Sequence, residues 1–123
     1  DEIYNLAGVS SVLDPFQNPM EIAKINGLSV LQILETIRIF YPKTKFFQAS
    51  SSEMFAPTKG LISENSQFDP QTPYATSKVF AHEMTQQYRK NFQLFTCCGI
   101  LFNHESPLRG LEFVTRKITN SMI

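Results

Sequence analysis

The sequence predicts an α/β fold: a parallel sheet whose strands are joined by crossover helices. Three observations lead there. Short apolar runs alternate with longer stretches of helical periodicity, in the order β-α-β-α-β-α. The helical stretches are long enough to carry the chain back to the start of the next parallel strand. The polar residues of interest gather in the loops that follow the strands and at the start of the second helix, where open α/β sheets bind their ligands.

The elements follow in chain order. "DEIYNLAG" reads as a strand ending at Ala7–Gly8, and residues 9 to 19, with two prolines, as loop. From Met20 to Phe40, Ile22, Ile25, Val30, Ile33, Leu34 and Ile37 recur at helical spacing. Gly27 weakens that helix and hints at close packing, and Pro42 stops it. "KFFQAS" is a short buried strand with "SSSEMF" at its exit. Residues 56 to 71 are polar, hold Pro57, Gly60 and Pro70, and read as a surface excursion. Thr72 can cap a helix whose first turn suits Pro73 and which runs to about Asn91. "LFTCCGILF" is a third strand, "NHESPLRG" a loop, and a last helix starts near Glu112. Three loops therefore converge beyond the strand ends: Ala7 to Ser11, Ser50 to Phe55, and Asn103 to Gly110.

Composition narrows the classes of function. The chain has 123 residues, 42% of them apolar with eleven phenylalanines, enough for one domain with a core. Formal charge is zero and basic residues are scattered, so nothing recommends nucleic acid or an acidic membrane as a partner. No apolar stretch is long enough to span a bilayer, and the first residues carry no secretory signal. Cys97 and Cys98 are neighbours on a strand, point to opposite faces, and read as reduced core thiols of a cytoplasmic protein. The chain starts in a strand without methionine and ends in the amphipathic "FVTRKITNSMI", so an internal stretch of a longer protein is expected. The five glycines are far apart, and neither a dinucleotide fingerprint nor a P-loop is present.

Candidate chemistry rests on three clusters. In "PYATSK", Tyr74 and Lys78 are four residues apart and share a helix face. A nearby ammonium is expected to lower the phenol's pKa, making Tyr74 able to take a proton from an alcohol while hydride leaves the same carbon. The same residues also fit an ordinary helix start. In "ASSSEMF", the strand-exit serines can bond a substrate hydroxyl or merely the backbone, and Glu53 is either an acid–base group or a helix-start carboxylate. "NHESPLRG" packs Asn103, His104, Glu105 and Arg109 into one polar loop. His82 and His104 have no partners at metal-ligand spacing, and no nucleophile-elbow sequence occurs.

These stretches resemble the extended short-chain dehydrogenase/reductase family, and within it the GDP-mannose 4,6-dehydratase branch. "DEIYNLAGVSSV", "FFQASSSEMF", "PYATSKVFAHEMTQQYR" and above all "CGILFNHESPLRGLEFVTRKIT" carry the resemblance over nearly the whole chain. It implies that residues 1–123 are part of an NADP-binding catalytic domain. That domain would be a Rossmann-like, doubly wound parallel sheet, here without its N-terminal strands and their glycine-rich cofactor turn. The implied reaction is dehydration of GDP-mannose to GDP-4-dehydro-6-deoxy-D-mannose, in a full-length enzyme that is a homo-oligomer. The implied catalytic residues are Ser51, Glu53, Tyr74 and Lys78. Leu6, Ala7, Gly8, Val9, Ser10, Tyr74, Lys78, His104 and Arg109 would line the cofactor. Ser10, Ser51, Asn103 and Lys117 would face the nucleotide sugar, and no metal is implied.

The match has departures. Ser51 stands where the family more often has threonine, "AGVSS" for "AAQSH", Leu108 for an arginine, and "GLEF" for "GETF". No catalytic group is lost. Two other readings stay open: a related nucleotide-sugar epimerase, against which Glu53 argues because C4 epimerisation needs no C5 deprotonation, and a non-catalytic remnant. The 123 residues alone, without the cofactor turn, are expected to be inactive.

Overall fold

The computed structural model describes residues 1–9, 16–58 and 60–122. Its strands are β1 (Glu2–Asn5), β2 (Lys45–Ser51) and β3 (Thr96–Leu101), and its helices α1 (Pro19–Ala23), α2 (Ser29–Phe40), α3 (Pro73–Phe92) and α4 (Val114–Ser121). The strands form one parallel sheet in the order β1-β2-β3. Glu2 pairs with Lys45 and Asn5 with Gln48; Phe46 pairs with Thr96 and Ser51 with Leu101. All three strands therefore end on the same edge, and the loops that follow them meet there.

The predicted helix from Met20 to Phe40 exists but is not uniform. Between α1 and α2 the chain takes a π-helical turn over Lys24–Leu28. This local widening, common near functional sites, turns Asn26 and Gly27 inward. A Cβ at Gly27 would stand 3.2 Å from the Phe80 ring on α3, so the glycine allows a close helix–helix approach, as its place in the sequence suggested.

One core cluster joins Val30, Leu34 and Ile37 of α2, Phe46 of β2, Ala81 and Tyr88 of α3, and Leu94. Complete burial of Leu34 and Phe46 contributes about 2–3 kcal/mol each. The Thr72 hydroxyl caps α3 by accepting from the Ala75 amide at 3.1 Å, and Pro73 fills the first turn. The helix ends where Gln93 turns left-handed, φ 57°.

The sheet's two faces differ. Phe46, Ser50, Thr96 and Cys98 face α2 and α3. On the other face Tyr4 and Phe47 pack ring to ring at 6.0 Å, and Tyr4, Phe95 and Cys97 are exposed. The Phe47 ring lies across Gly99, where a Cβ would be only 2.6 Å away. The cysteines do point to opposite faces and are free, but Cys97 sits on this open face and is not a core thiol. Among the described residues, no helix is long and apolar enough to cross a membrane.

Candidate active site

A cavity of about 710 Å³ opens at the C-terminal ends of the strands, where the sequence predicted a ligand site. Three loops and the start of α3 build it.

The first wall comes from the segment after β1. Asn26, 1% exposed on the π-helical turn, grips that segment twice. Its Oδ1 accepts from the Val9 amide at 2.8 Å, and its Nδ2 donates to the Val9 carbonyl at 2.8 Å. Gly8 is thereby held against the site. A Cβ there would meet Asn26 Oδ1 at 3.1 Å and Lys78 Nζ at 3.5 Å, so a side chain would fit only tightly.

The second wall is the exit of β2. Ser51, 8% exposed, ends the strand, and its hydroxyl accepts from the Glu53 amide at 3.2 Å. That bond starts a single 3₁₀ turn, Ser52–Met54, which projects Glu53 into the cavity. Facing it, α3 offers Tyr74 and Lys78. Lys78 is 6% exposed; its Nζ donates to the Ala49 carbonyl at 3.0 Å and lies 5.7 Å from the centre of the Tyr74 ring.

The electrostatics differ from the sequence expectation. Burial pushes the Tyr74 phenol above its usual 10.0; a hydrogen bond with the Ser51 side chain pulls it back, and the Glu53 carboxylate pushes it up again. Lys78 is not among these influences. Burial instead pushes the Lys78 ammonium below its usual 10.5. In this arrangement the hydroxyl that favours the phenolate belongs to Ser51, and the ammonium gives one of its three protons to a backbone carbonyl. The spacing of four did place both side chains on one face, but did not make the lysine lower the tyrosine's pKa.

The third wall is the loop after β3. Arg109 organises it: Nη1 donates to the His104 carbonyl at 2.6 Å, Nε pairs with Glu105 at 3.4 Å, and the guanidinium stacks 3.9 Å over the Phe113 ring. His104 Nδ1 donates to the Phe102 carbonyl at 3.0 Å.

Leu6, Gly8, Ser51, Glu53, Tyr74, Lys78, Asn103, His104 and Arg109 line this one cavity. Ala7 and Val9 do not line it; Val9 acts through its backbone clamp to Asn26. Lys117 lies exposed on α4, away from the lining. Ser10 falls outside the described residues. Sequence reasoning missed Asn26; its signal was an amide directly before Gly27 in the helical stretch. It also missed that Ser50, in the cavity wall, forms a buried pair with His82.

The family model described as GDP-mannose 4,6 dehydratase matches residues 1–123. The chain belongs to the GDP-mannose 4,6-dehydratase family. GDP-mannose 4,6 dehydratase 2 of Arabidopsis thaliana is 48% identical, with 99% of this chain matching 34% of the relative. The GDP-mannose 4,6-dehydratase of Vibrio cholerae serotype O1 is 46% identical over the same shares. Among solved structures, RMD from Pseudomonas aeruginosa complexed with NADPH superposes with a TM-score of 0.91 at 25% identity, over 99% of this chain and 43% of that one. The Rossmann-like fold expected from the resemblance is thus present, and the chain spans about a third of the length of the curated relatives it matches.

Proposed function

We propose that this chain is the catalytic segment of a GDP-mannose 4,6-dehydratase that uses NADP. The observation that carries the reading is convergence: Ser51, Glu53, Tyr74 and Lys78, from β2, the 3₁₀ turn and α3, open onto one cavity in a chain of that family.

The residues fit the nicotinamide–ribose end of such a cofactor. Gly8 leaves a flat approach beside Lys78, whose ammonium can donate to ribose hydroxyls. No glycine-rich cradle for the phosphates occurs in the sequence. When bound, the nicotinamide accepts hydride from the sugar's C4 and returns it to C6, so net redox is zero. NADP over NAD is supported by the likeness to a protein complexed with NADPH.

Each residue then has a task. As its phenolate, the form the Ser51 hydroxyl favours, Tyr74 takes the proton of the sugar 4-hydroxyl, and Ser51 orients that group. The C4 ketone acidifies C5–H. Glu53 removes this proton and delivers it to the 6-hydroxyl, which leaves as water; C5 then takes a proton from solvent as hydride reaches C6, and Tyr74 gives its proton back to solvent. Lys78 holds the wall of Ala49 and Gly8 against the ring of Tyr74. His104, Arg109 and Asn103 close the side after β3. Self-association of the full-length enzyme and a cytoplasmic location belong to the same reading, the latter supported by the free Cys97 and Cys98.

Two experiments test it. In the full-length enzyme that carries these residues, Glu53→Gln is expected to keep cofactor binding and abolish the 4-keto-6-deoxy product. Near-normal product formation would sink the acid–base role. The 123-residue polypeptide alone, given GDP-mannose and NADP, is expected to yield no product, and measurable turnover would overturn that expectation.

A further inference from the structure

From the Ser50 wall of the cavity a polar cluster that the reaction does not use runs inward to His82. His82 is 5% exposed and Ser50 is 3% exposed. His82 Nδ1 is 2.8 Å from Ser50 Oγ, and its Nε2 is 2.6 Å from Gln86 Nε2. An amide nitrogen only donates, so His82 Nε2 accepts and the ring proton sits on Nδ1, donated to Ser50. On the same side, the Cys98 thiol donates to the His82 carbonyl at 3.8 Å. Burial pushes that thiol up to about 11, which keeps it a donor. The Phe68 ring stands edge-on to the imidazole at 5.1 Å, 78°. The cluster is closed, with every side-chain polar atom of His82 and Ser50 matched, and such networks fix geometry.

The placement gives this closure a purpose. Tyr74, Lys78 and His82 are spaced four apart and form one stripe along α3. Each meets one residue of the β2 exit: Tyr74 the Ser51 side chain, Lys78 the Ala49 carbonyl, and His82 the Ser50 hydroxyl. Lys78 and His82 are both buried, while Tyr74 is half-buried at the cavity. We propose that His82 is a positioning residue: its Nδ1–H bond to Ser50 sets the offset between α3 and β2 that brings the Ser51 hydroxyl onto Tyr74. This deepens the reading of Tyr74 as the proton acceptor, yet it can be tested without turnover.

The experiment is NMR of the full-length enzyme that carries these residues, at neutral pH, with labelled histidine nitrogens and tyrosine Cζ, His82 and Tyr74 being assigned from His82→Phe and Tyr74→Phe. The His82 nitrogens should report the Nδ1–H tautomer; an Nε2–H ring would overturn the proposal. His82→Phe fills the space without the bond, and the Tyr74 Cζ shift should move toward that of an exposed tyrosine. His82→Asn places an amide N–H where Nδ1–H was and should restore the native shift. Ser50→Ala removes only the acceptor and should match His82→Phe; it carries the test if the phenylalanine variant does not fold. An unchanged Tyr74 shift in His82→Phe or in Ser50→Ala refutes the idea. Equal shifts in the Phe and Asn variants would mark His82 as mere packing. None of these outcomes bears on whether Tyr74 acts in dehydration, so the two readings fail separately.

Discussion

Replacing Asn26 should release the wall that carries Gly8 without dissolving the core. Its side chain makes two 2.8 Å hydrogen bonds to one backbone unit, Val9, and both vanish in Asn26→Ala. Each such bond contributes about 1 kcal/mol net, and orphaned groups add a desolvation cost. Val9 is half-buried, so water reclaims part of that cost. The sum is about 2 kcal/mol, or roughly 30-fold in the opening of the segment. Asn26→Leu separates hydrogen bonding from volume, because it fills the site without donor or acceptor. Amide exchange followed by NMR reads the effect directly. The Val9 amide should exchange about 30-fold faster in both variants. The Leu34 amide, in the core, should change far less. If Val9 exchange in Asn26→Leu stays at the native rate, the clamp does not hold the segment and the reasoning fails.

Other consequences are simpler. Thr72→Ala removes the α3 cap and should lower unfolding stability by about 1 kcal/mol in urea melts. Leu34→Ala opens a hole at a residue 0% exposed and should cost about 3 kcal/mol by the same measurement. Arg38 and the Tyr88 hydroxyl hold the Glu35 carboxyl down to about 2, from a usual 4.5. A depressed acid stabilises the fold above its unfolded pKa, so stability should fall as pH drops from about 4.5 to 2, and Glu35→Gln should flatten that part of the profile. Burial lowers His82 from 6.5, so the unfolded chain binds the extra proton first; stability should decline as pH falls below 6.5, and less so in His82→Asn.

How much the sequence shows depends on the range of the forces involved. The strands, the cap at Thr72–Pro73 and the face shared by Tyr74 and Lys78 are local, written in periodicity and in capping chemistry, and all are found in the structure. The gathering of three loops at one sheet edge follows from parallel topology and was legible too. What stayed hidden depends on contacts between distant segments. Asn26 reaches Val9 across seventeen residues, and only the π-helical turn aims it there. Ser50 meets His82 across thirty-two residues, through helix–strand packing that no spacing rule encodes. The lysine's failure to lower the Tyr74 pKa is of the same kind: a spacing of four places two side chains together, but burial and the Ala49 carbonyl decide where the ammonium points. Lys117, carried over from the family pattern, shows the opposite limit, since a matched position does not by itself bring a side chain to the cavity.

The most direct measurement follows a deuterium label. The full-length enzyme that carries these residues is given GDP-mannose deuterated at C4, with NADP, and the product is read by NMR. The account predicts a 4-keto-6-deoxy sugar whose deuterium has moved from C4 to C6, and no such product from Tyr74→Phe. Deuterium retained at C4, or lost to solvent, would contradict the transient hydride transfer. Absence of any conversion by the full-length enzyme would remove the dehydratase reading itself.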